Sequence, residues 1–412
     1  MSQSINDTRS YGPVSCLRRS ATILLLPAML SGCATGLSPG PMKPNMTGHG
    51  AAVPVTAAPQ DRQTPGLTTA LDLSATTNLE GIIPVLAGKR VVLVGETHDR
   101  YDNHLMQLEI IRRLHAVHPR LAIGMEAFQQ PFQGVLDEYI AGRLDERQLL
   151  RDTEYYRRWR FDFRLYAPIL EYARENHLPV VALNLPAELT SKVGRVGMAG
   201  LTAAERKELP DDIDRSDTAY EARLRKVFEH HPGVDGHGFE NFIDVQLLWD
   251  EGMAERAAGY LRAHPDYTMV VLAGEGHLAY GSGIPRRLTR RLDVQSAIVL
   301  NDWDGTLQPD LADYLLLPQE QVLPPSGKFG ALLDEDGGKL RVDQCLPDSP
   351  CKLAGLRRGD QIIAINGDAI ADLADLRVAT WDKRPGEHVT IKVRRQRWIL
   401  PPQELSYEIM LR

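Results

Sequence analysis

Two short motifs carry residue types that bind ligands. The pattern Gly-Glu-x-His occurs twice, ending at His98 and at His277, each time directly after a short apolar run. A further acidic residue, Glu126, follows another such run. Neutral imidazole combined with carboxylate is a ligand set that zinc, manganese and iron accept. The same groups could instead surround a haem, with a histidine or tyrosine as axial ligand, so the motifs predict a ligand site and leave both alternatives open.

The apolar runs before these residues have the length and composition of buried β-strands. The clearest of them are residues 90–94, 121–125, 180–183, 269–273 and 297–300. Helical patterns separate the runs, which is typical of an α/β domain with a largely parallel sheet flanked by helices. In such sheets, ligands bind outside the carboxyl ends of strands that lie only about 4.8 Å apart. We therefore expect the side chains that follow the strands to meet at one edge.

The large domain is predicted to span residues 67–318. Within it, residues 187–240 are polar and irregular, and we interpret them as a helical lid insertion rather than as core. The whole chain has a formal net charge of −7. A nucleic-acid partner would require a basic surface, so the composition argues against one.

The amino terminus has the features of an export signal. Residues 1–32 combine a positively charged start with a short apolar run at 21–30, which is too short to cross a membrane as a helix of about 20 residues. The small residues before Cys33 resemble a lipobox, which implies that Cys33 is lipidated; the alternative is an ordinary cleaved signal. Residues 33–66 are rich in glycine, proline and threonine and predict a flexible tether. We expect a lipid-anchored protein of the cell envelope, on the outer membrane and facing the periplasm.

Longer stretches of the large domain resemble a known family. Residues 92–109 are similar to the opening motif of the ChaN-like haem-binding uptake proteins, which share a superfamily with the Tiki proteins, TraB and the erythromycin esterases. Further motifs agree in the same order along the chain, at residues 124–126, 159–166, 184–186, 246–254 and 271–287. The resemblance covers nearly all of the large domain and is weakest in the lid insertion.

This resemblance implies two different functions. The ChaN-like branch implies a lipoprotein that binds haem at a homodimer interface and is linked to iron uptake. The haem site would draw on side chains at or near the strand ends, namely His98, Glu126, His277, Tyr280, Tyr101, His104 and Tyr166. The Tiki and erythromycin-esterase branches imply instead a metal-dependent hydrolase that uses the paired motifs of His98 and His277 together with Glu126. In it, manganese, zinc or iron would activate water and Glu96 or Glu275 would act as base. We favour a binding protein; an envelope scaffold without a ligand fits the intact motifs least well.

A second, smaller domain follows a linker at residues 324–326. Residues 327–400 are rich in predicted strands and resemble a PDZ domain of the bacterial protease-associated kind. Such domains add an extended or C-terminal peptide as a strand beside their own. The resemblance implies that the peptide-binding loop consists of Lys328, Phe329, Gly330 and Ala331. The alternative is a module that only packs or dimerises.

Two cysteines remain once the signal and Cys33 are set aside. Cys345 and Cys351 lie six residues apart in the predicted PDZ domain, and Cys351 occupies a position where that family usually has alanine. An exported protein folds in an oxidising compartment, where disulfides persist. We hypothesise a local disulfide between the two residues; two buried thiols are the alternative.

Overall fold

The computed structural model of the protein describes Leu73 and residues 76–229, 238–301, 307–308 and 310–412. The predicted signal and tether, Cys33 among them, lie outside these residues. No helix in the described ranges is both long and apolar enough to span a bilayer. The fold class predicted from the sequence is confirmed, with a parallel sheet flanked by helices followed by a smaller antiparallel β-rich domain.

The large domain is built on a six-stranded sheet in which every pair of neighbouring strands is parallel. Its strands are β1 (Val91–Glu96), β2 (Leu121–Gln129), β3 (Val180–Asn184), β4 (Thr268–Gly274), β5 (Ser296–Asn301) and β6 (Tyr314–Leu316). They lie in the order β3-β2-β4-β1-β5-β6. The sequence predicted the first five strands and missed β6, whose three residues are too few for a recognisable pattern.

Both faces of this sheet are covered by apolar side chains. Along β1, Val92 and Val94 belong to one hydrophobic core, whereas Val91 and Leu93 belong to the core on the opposite face. Alternate residues of a strand point to opposite faces, so a strand buried on both faces needs a continuous apolar run. This explains why the strands were visible in the sequence as unbroken runs.

In the residues that the structure describes, eleven helices of the large domain pack around the sheet or form the insertion. They are α1 (Leu79–Ala87), α2 (Tyr101–Val117), α3 (Gln133–Ile140), α4 (Glu146–Asp152), α5 (Tyr155–Arg158), α6 (Ala167–Glu175), α7 (Ala187–Val196), α8 (Ala203–Arg206), α9 (Thr218–Glu229), α10 (Gly238–Ala263) and α11 (Ile284–Arg291). The lid insertion predicted at 187–240 contains α7, α8 and α9 in its described part. It buries small apolar clusters of its own against α10, separate from the two cores of the sheet.

The small domain is a second sheet with antiparallel pairing. Its strands are β7 (Ala331–Asp336), β8 (Lys339–Cys345), β9 (Gln361–Ile365), β10 (Asp368–Ala369), β11 (His388–Arg395) and β12 (Gln403–Met410), and its helices are α12 (Pro350–Ala354) and α13 (Leu373–Thr380). The main path of the sheet runs β12-β11-β9-β8-β7, with β10 paired to β9. Strands β7 and β12 are therefore the two edges.

Helix α13 of the small domain packs on the large domain. The guanidinium of Arg157, in α5, donates to the carboxylates of Asp372 and Asp375 at 2.9 and 2.7 Å. Just beyond α5, the ring of Phe163 meets that of Trp381 edge to face, with centroids 5.2 Å apart. The two domains thus share a contact that combines charge pairing with aromatic packing.

Candidate functional site

The first histidine of the site, His98, is held by the carboxylate at the end of β1. Its Nδ1 lies 2.8 Å from Oε1 of Glu96, and the buried hydroxyl of Tyr166 donates to the same oxygen at 2.7 Å. The rings of Trp159 and Phe161 pack against the imidazole, with centroids 4.8 and 4.9 Å away. These contacts fix the orientation of the ring and use Nδ1 for its hydrogen bond. We call Glu96 and His98 the first dyad.

A further histidine, His104, contacts the first dyad on its buried side. Nδ1 of the buried His104 lies 2.7 Å from Oε2 of Glu96, and its Nε2 lies 3.1 Å from the backbone oxygen of His98. Burial alone would raise the pKa of Glu96, but His104 and His98 together hold it well below its usual range. Burial alone would lower the pKa of each histidine, and the contact with Glu96 outweighs this and raises both. Glu96 is therefore a buried anion, and His104 belongs to its support rather than to the open edge.

The second histidine, His277, follows β4 and is held by an acidic residue of α10. Its Nδ1 lies 2.7 Å from Oδ1 of Asp250, whose Oδ2 accepts a hydrogen bond of 2.5 Å from the hydroxyl of Tyr220. A guanidinium nitrogen of the buried Arg287 lies 4.0 Å from the same Oδ2. Burial alone would lower the pKa of His277, but the carboxylates of Glu126 and Asp250 raise it to about 9. We call Asp250 and His277 the second dyad.

Glu126 lies between the two dyads. Its Oε1 is 3.5 Å from Nε2 of His277, and its Oε2 accepts the backbone N–H of Gly274 at 2.7 Å. The carboxylate also helps to raise the pKa of His98. A Cβ placed on Gly274 would lie 2.9 Å from Cε1 and 3.1 Å from Nε2 of His98, closer than side chains normally approach. Glycine at this position is what allows the first histidine to approach the end of β4.

The topology explains this convergence. Strands β2, β4 and β1 are consecutive neighbours in the sheet, and they carry Glu126, His277 and His98 within or directly after their carboxyl ends. Glu96 pairs in register with Gly274 across β1 and β4. The structure therefore brings together the three residues that the two motifs and the second strand indicated in the sequence.

The other predicted residues lie around this centre. Tyr166 is buried behind Glu96, and Tyr101 is the partly exposed first residue of α2. Tyr280 lies in a short 3-10 turn after His277 with a φ of 61°, and the guanidinium of Arg223 lies 4.4 Å from its ring centroid. Glu275 begins the 3-10 turn that contains His277, and its Cα would lie 3.3 Å from a Cβ placed on Gly95.

Sequence reasoning named Glu96, His104 and Tyr166 but assigned no site role to the other residues around the two histidines. Asp250, Tyr220 and Arg287, on the side of His277, come from three separate helices, and Trp159 and Phe161 come from the segment after α5. Asp250 left one signal that could have been used, because it is a charged residue on the helix face where Leu247, Met253 and Ala254 are buried. Buried charges are rare unless they are paired, so such a residue points to a partner.

The loop predicted to bind a peptide precedes the edge strand β7. Lys328 pairs with the backbone of Arg412, Phe329 is buried in the core of the small domain, and Gly330 has a φ of +72°. A Cβ on Gly330 would lie 2.5 Å from Cβ of Ser349, so a side chain is excluded there. Ala331 begins β7 and pairs with Cys345 of β8.

The two remaining cysteines are joined. Cys345 ends β8 and Cys351 lies in α12, and they form a disulfide with Cα atoms 5.5 Å apart. This separation lies within the range that disulfides span. Within the described ranges, no group of three or more His, Cys, Asp or Glu side chains is arranged to hold a metal ion.

Two family models match the chain. The first, described as haem-binding uptake, Tiki superfamily, ChaN, matches residues 82–288, and the second, a PDZ domain, matches residues 327–399. Among curated proteins, the chain is 26% identical over 274 residues to Protein RETICULATA-RELATED 5, chloroplastic, of Arabidopsis thaliana. That match covers 59% of this chain and 33% of the relative, so the chain spans about a third of the relative's length.

Two solved structures resemble part of this chain. ChaN of Campylobacter jejuni, described with cofacially bound haem, is 17% identical with a TM-score of 0.49, over 59% of this chain and 92% of that chain. A mutant erythromycin esterase in an open conformation is 17% identical with a TM-score of 0.34, over 54% and 72% of the two chains. The first family model spans half of the 412 residues, from within α1 to within α11. The chain therefore belongs to the ChaN-like haem-binding uptake family of the Tiki superfamily and carries a PDZ domain after it.

Proposed function

We propose that the protein binds haem at the carboxyl-end edge of its parallel sheet and acts in iron acquisition or haem handling. One observation carries this proposal. His98 and His277 each have Nδ1 held by a buried carboxylate, while their Nε2 atoms lie beside Gly274 and Glu126. Histidines that ligate metals commonly donate their other ring N–H to a carboxylate, which fixes the tautomer and makes the ligand more basic. In each dyad, the carboxylate thus orients the histidine to bind iron.

The surroundings fit a flat, largely apolar group. Trp159 and Phe161 line one side of His98, and the ring of Trp249 lies 6.2 Å from that of His277. Sites for apolar cofactors are lined mostly by such side chains, with a few polar groups that set the orientation. A bound haem would supply the iron, and His98 and His277 would hold it between walls formed by the aromatic side chains. Tyr101 and Tyr280 are the tyrosines near the edge that could complete the set.

Haem titration of a chain that begins at residue 67 tests this proposal. We expect added haem to give a Soret band. The apparent haem affinity measured from this band should fall at least tenfold in His98→Ala or His277→Ala, because each variant loses a ligand or its support. Tyr280→Phe tests the tyrosine ligand. His388→Ala, an exposed histidine of the small domain, is the matched control and should leave the titration unchanged. Absence of a band, or a band unchanged in all three site variants, would refute the proposal.

The same dyads also favour a second function, hydrolysis. A histidine backed by a carboxylate is a common general base. Because Glu96 is buried behind His98, the histidine would take the proton and Glu96 would hold it in place. Ester hydrolysis without a Soret band, lost in His98→Ala and His277→Ala, would support this alternative. Stoichiometric manganese or zinc, lost in the same variants, would identify the metal-dependent form.

The location and assembly of the protein belong to the same proposal. We propose that Cys33 is lipidated, that the chain is held on the outer membrane facing the periplasm, and that haem binds between two copies of the chain. Support for the anchor is the lipobox-like sequence that ends at Cys33. Mass spectrometry of the exported chain should detect a diacylglyceryl group that is absent in Cys33→Ser. Sedimentation should show a dimer when haem is bound, whether or not the haem-free chain is also a dimer. A chain that is monomeric both with and without haem would refute the proposed dimer.

The small domain is proposed to dock a peptide on β7. Among the described strands, β7 pairs with β8 alone, and the loop 328–331 leads into it as the resemblance to PDZ domains implies. An extended peptide would add to this free edge through main-chain hydrogen bonds. A library of C-terminal peptides should contain binders whose affinity falls when Gly330 is replaced by valine. If no peptide in the library binds, the result would support the alternative that the domain serves only in packing.

A further inference from the structure

An exposed apolar tip ends the last hairpin of the small domain. Strands β11 and β12 pair from His388 with Met410 to Arg395 with Gln403, so the intervening loop closes the hairpin. At its tip, Trp398 is 100% exposed, Ile399 is 87% exposed and Leu400 is 58% exposed. Single exposed apolar residues are ordinary, but a contiguous set of large ones marks an interaction site.

The sequence around this tip is basic in a chain that is acidic overall. Between Glu387 and Glu404 there is no Asp or Glu, although the chain carries a net charge of −7. The basic side chains of this stretch are Lys392, Arg394, Arg395 and Arg397. The first three form ion pairs with Glu404 or Asp360.

Arg397, next to the apolar tip, differs from the other basic residues. Its Nε donates to the backbone oxygen of Pro401 at 3.1 Å, and no ion pair involves it in the part of the chain that the structure describes. Arg397 is an exposed residue, so its charge is available to an anionic surface. Pro401 and Pro402 follow the tip and restrict its backbone, which lowers the entropy lost when the loop is held in place.

The position of the hairpin leaves the peptide-binding edge clear. Strand β12 is one edge of the sheet and β7 is the other. The large domain contacts the small domain through α13, and the tip lies outside that contact because its side chains are exposed. A partner at the tip would therefore not compete with a peptide on β7.

We propose that this hairpin tip inserts into the interface of a lipid bilayer that contains anionic lipids. Consecutive side chains of a turn point in different directions, so three of them need an apolar environment on several sides at once, which an acyl-chain layer provides. Tryptophan favours the membrane–water interface, where its ring is in contact with lipid and its N–H stays hydrated. Arginine beside such a residue is attracted by the negative surface potential of anionic lipids. This inference depends neither on haem nor on the proposed anchor at Cys33.

Vesicle flotation of the chain that begins at residue 67 tests the inference, because every described helix and strand lies after that position. The vesicles are phosphatidylcholine alone, or phosphatidylcholine mixed with phosphatidylglycerol. We expect binding to the mixed vesicles and at least a tenfold loss when Trp398, Ile399 and Leu400 are together replaced by serine. Arg397→Gln should weaken binding about fivefold, and only on the anionic vesicles.

The matched control replaces two exposed apolar residues elsewhere, Leu317→Ser with Val322→Ser, which are 77% and 80% exposed. It should bind as the parent chain does. Brominated acyl chains should quench tryptophan emission in the parent chain, and Trp398→Phe should abolish most of that quenching. No flotation of the parent chain, or equal flotation of the parent and the triple variant, would overturn the inference. Concentration-dependent self-association that the triple variant abolishes, without vesicle binding, would instead assign the tip to a second copy of the chain.

Discussion

The two dyads are chemically alike but are supported by different parts of the molecule. In the first, Glu96 is surrounded by His104 of α2 and by Tyr166 beside α6, both packed into the core of the large domain. In the second, Asp250 belongs to α10 and is held by Tyr220 of α9, which lies in the lid insertion. The carboxylate of the first dyad is therefore supported by the core of the sheet domain, and that of the second is supported in part by an insertion with its own small clusters.

Because of this difference, a change in the insertion can alter the geometry of the site without lowering the stability of the whole fold. Local openings of a protein follow its cooperative units, and an insertion with a small separate core can open at lower free energy than the sheet. Movement of α9 would remove the hydrogen bond from Tyr220 to Asp250 and so weaken the support of His277, while the contacts of His98 would stay in place. The first dyad is thus a fixed point of the site, and the second is the part that an opening of the insertion can alter.

The largest expected effect is on the free energy of unfolding in Glu96→Gln. The change removes a buried anion from two histidines, and breaking a buried ion pair typically costs about 3–5 kcal/mol. Asp250→Asn should cost less, because Arg287 keeps Glu251 as a partner at 3.1 Å. Urea unfolding of both variants against the parent chain measures the difference. Equal losses would show that the two supports do not differ as described.

A smaller but more specific effect is expected in Gly274→Ala. The added Cβ would lie 2.9 Å from Cε1 of His98, so the ring must leave its place between Trp159 and Phe161. Haem affinity should fall at least tenfold, while the thermal midpoint should fall less than in Glu96→Gln, because Glu96 keeps its contacts with His104 and Tyr166. Gly134→Ala is the control, since a Cβ there meets nothing within 4 Å. Normal haem binding by Gly274→Ala would place the ligand away from this edge.

A matched pair of hydroxyl deletions compares the supports directly. Tyr166→Phe and Tyr220→Phe each remove one hydrogen bond to a buried carboxylate, worth about 1–3 kcal/mol because the acceptor is charged. Tyr166→Phe should lower global stability. Tyr220→Phe should instead increase hydrogen exchange in α9 and leave exchange in the sheet strands unchanged. If both variants exchange faster throughout the sheet, the insertion does not open on its own.

The smallest expected effect is a difference in pH dependence in the haem-free chain. The pKa of His277 is raised from 6.5 to about 9, so the stabilisation from its charge is complete below 6.5 and is lost as the pH rises to about 9. The pKa of Glu96 is lowered from 4.5, so its contribution is present above 4.5 and is lost only at lower pH. Thermal midpoints should therefore decline by a few degrees over the alkaline window, and less so in His277→Gln. An identical alkaline decline in that variant would contradict the assignment.

Much of the sheet and the centre of the site can be predicted from the sequence. Strands buried on both faces need continuous apolar runs, and the residues just after them must lie at the carboxyl edge whatever the strand order. That is why the amino-acid pattern alone singles out His98, Glu126 and His277. The PDZ domain is predicted by its resemblance to a known family, and the match of residues 327–399 to the family model confirms it.

The supporting residues cannot be predicted in the same way. Tyr220 and Asp250 meet only because α9 folds back on α10, and no periodicity within either helix encodes that approach. The role of His104 depends on which face of α2 points to Glu96, and its closeness to the first motif in the sequence suggests a ligand instead. Pairings between distant elements are set by packing, which a single sequence does not display.

The contact between α5 and α13 has a consequence for how the chain can be divided. Arg157, which holds Asp372 and Asp375, stands two residues before Trp159, whose ring rests on His98. Truncating the chain in the linker would remove α13, which this segment contacts, although the two parts of the chain match separate families. The large domain therefore cannot be separated from the small domain at this boundary without consequence. In a truncated large domain, the aromatic side chains that pack against the first dyad would lack the contact with α13 that supports their segment.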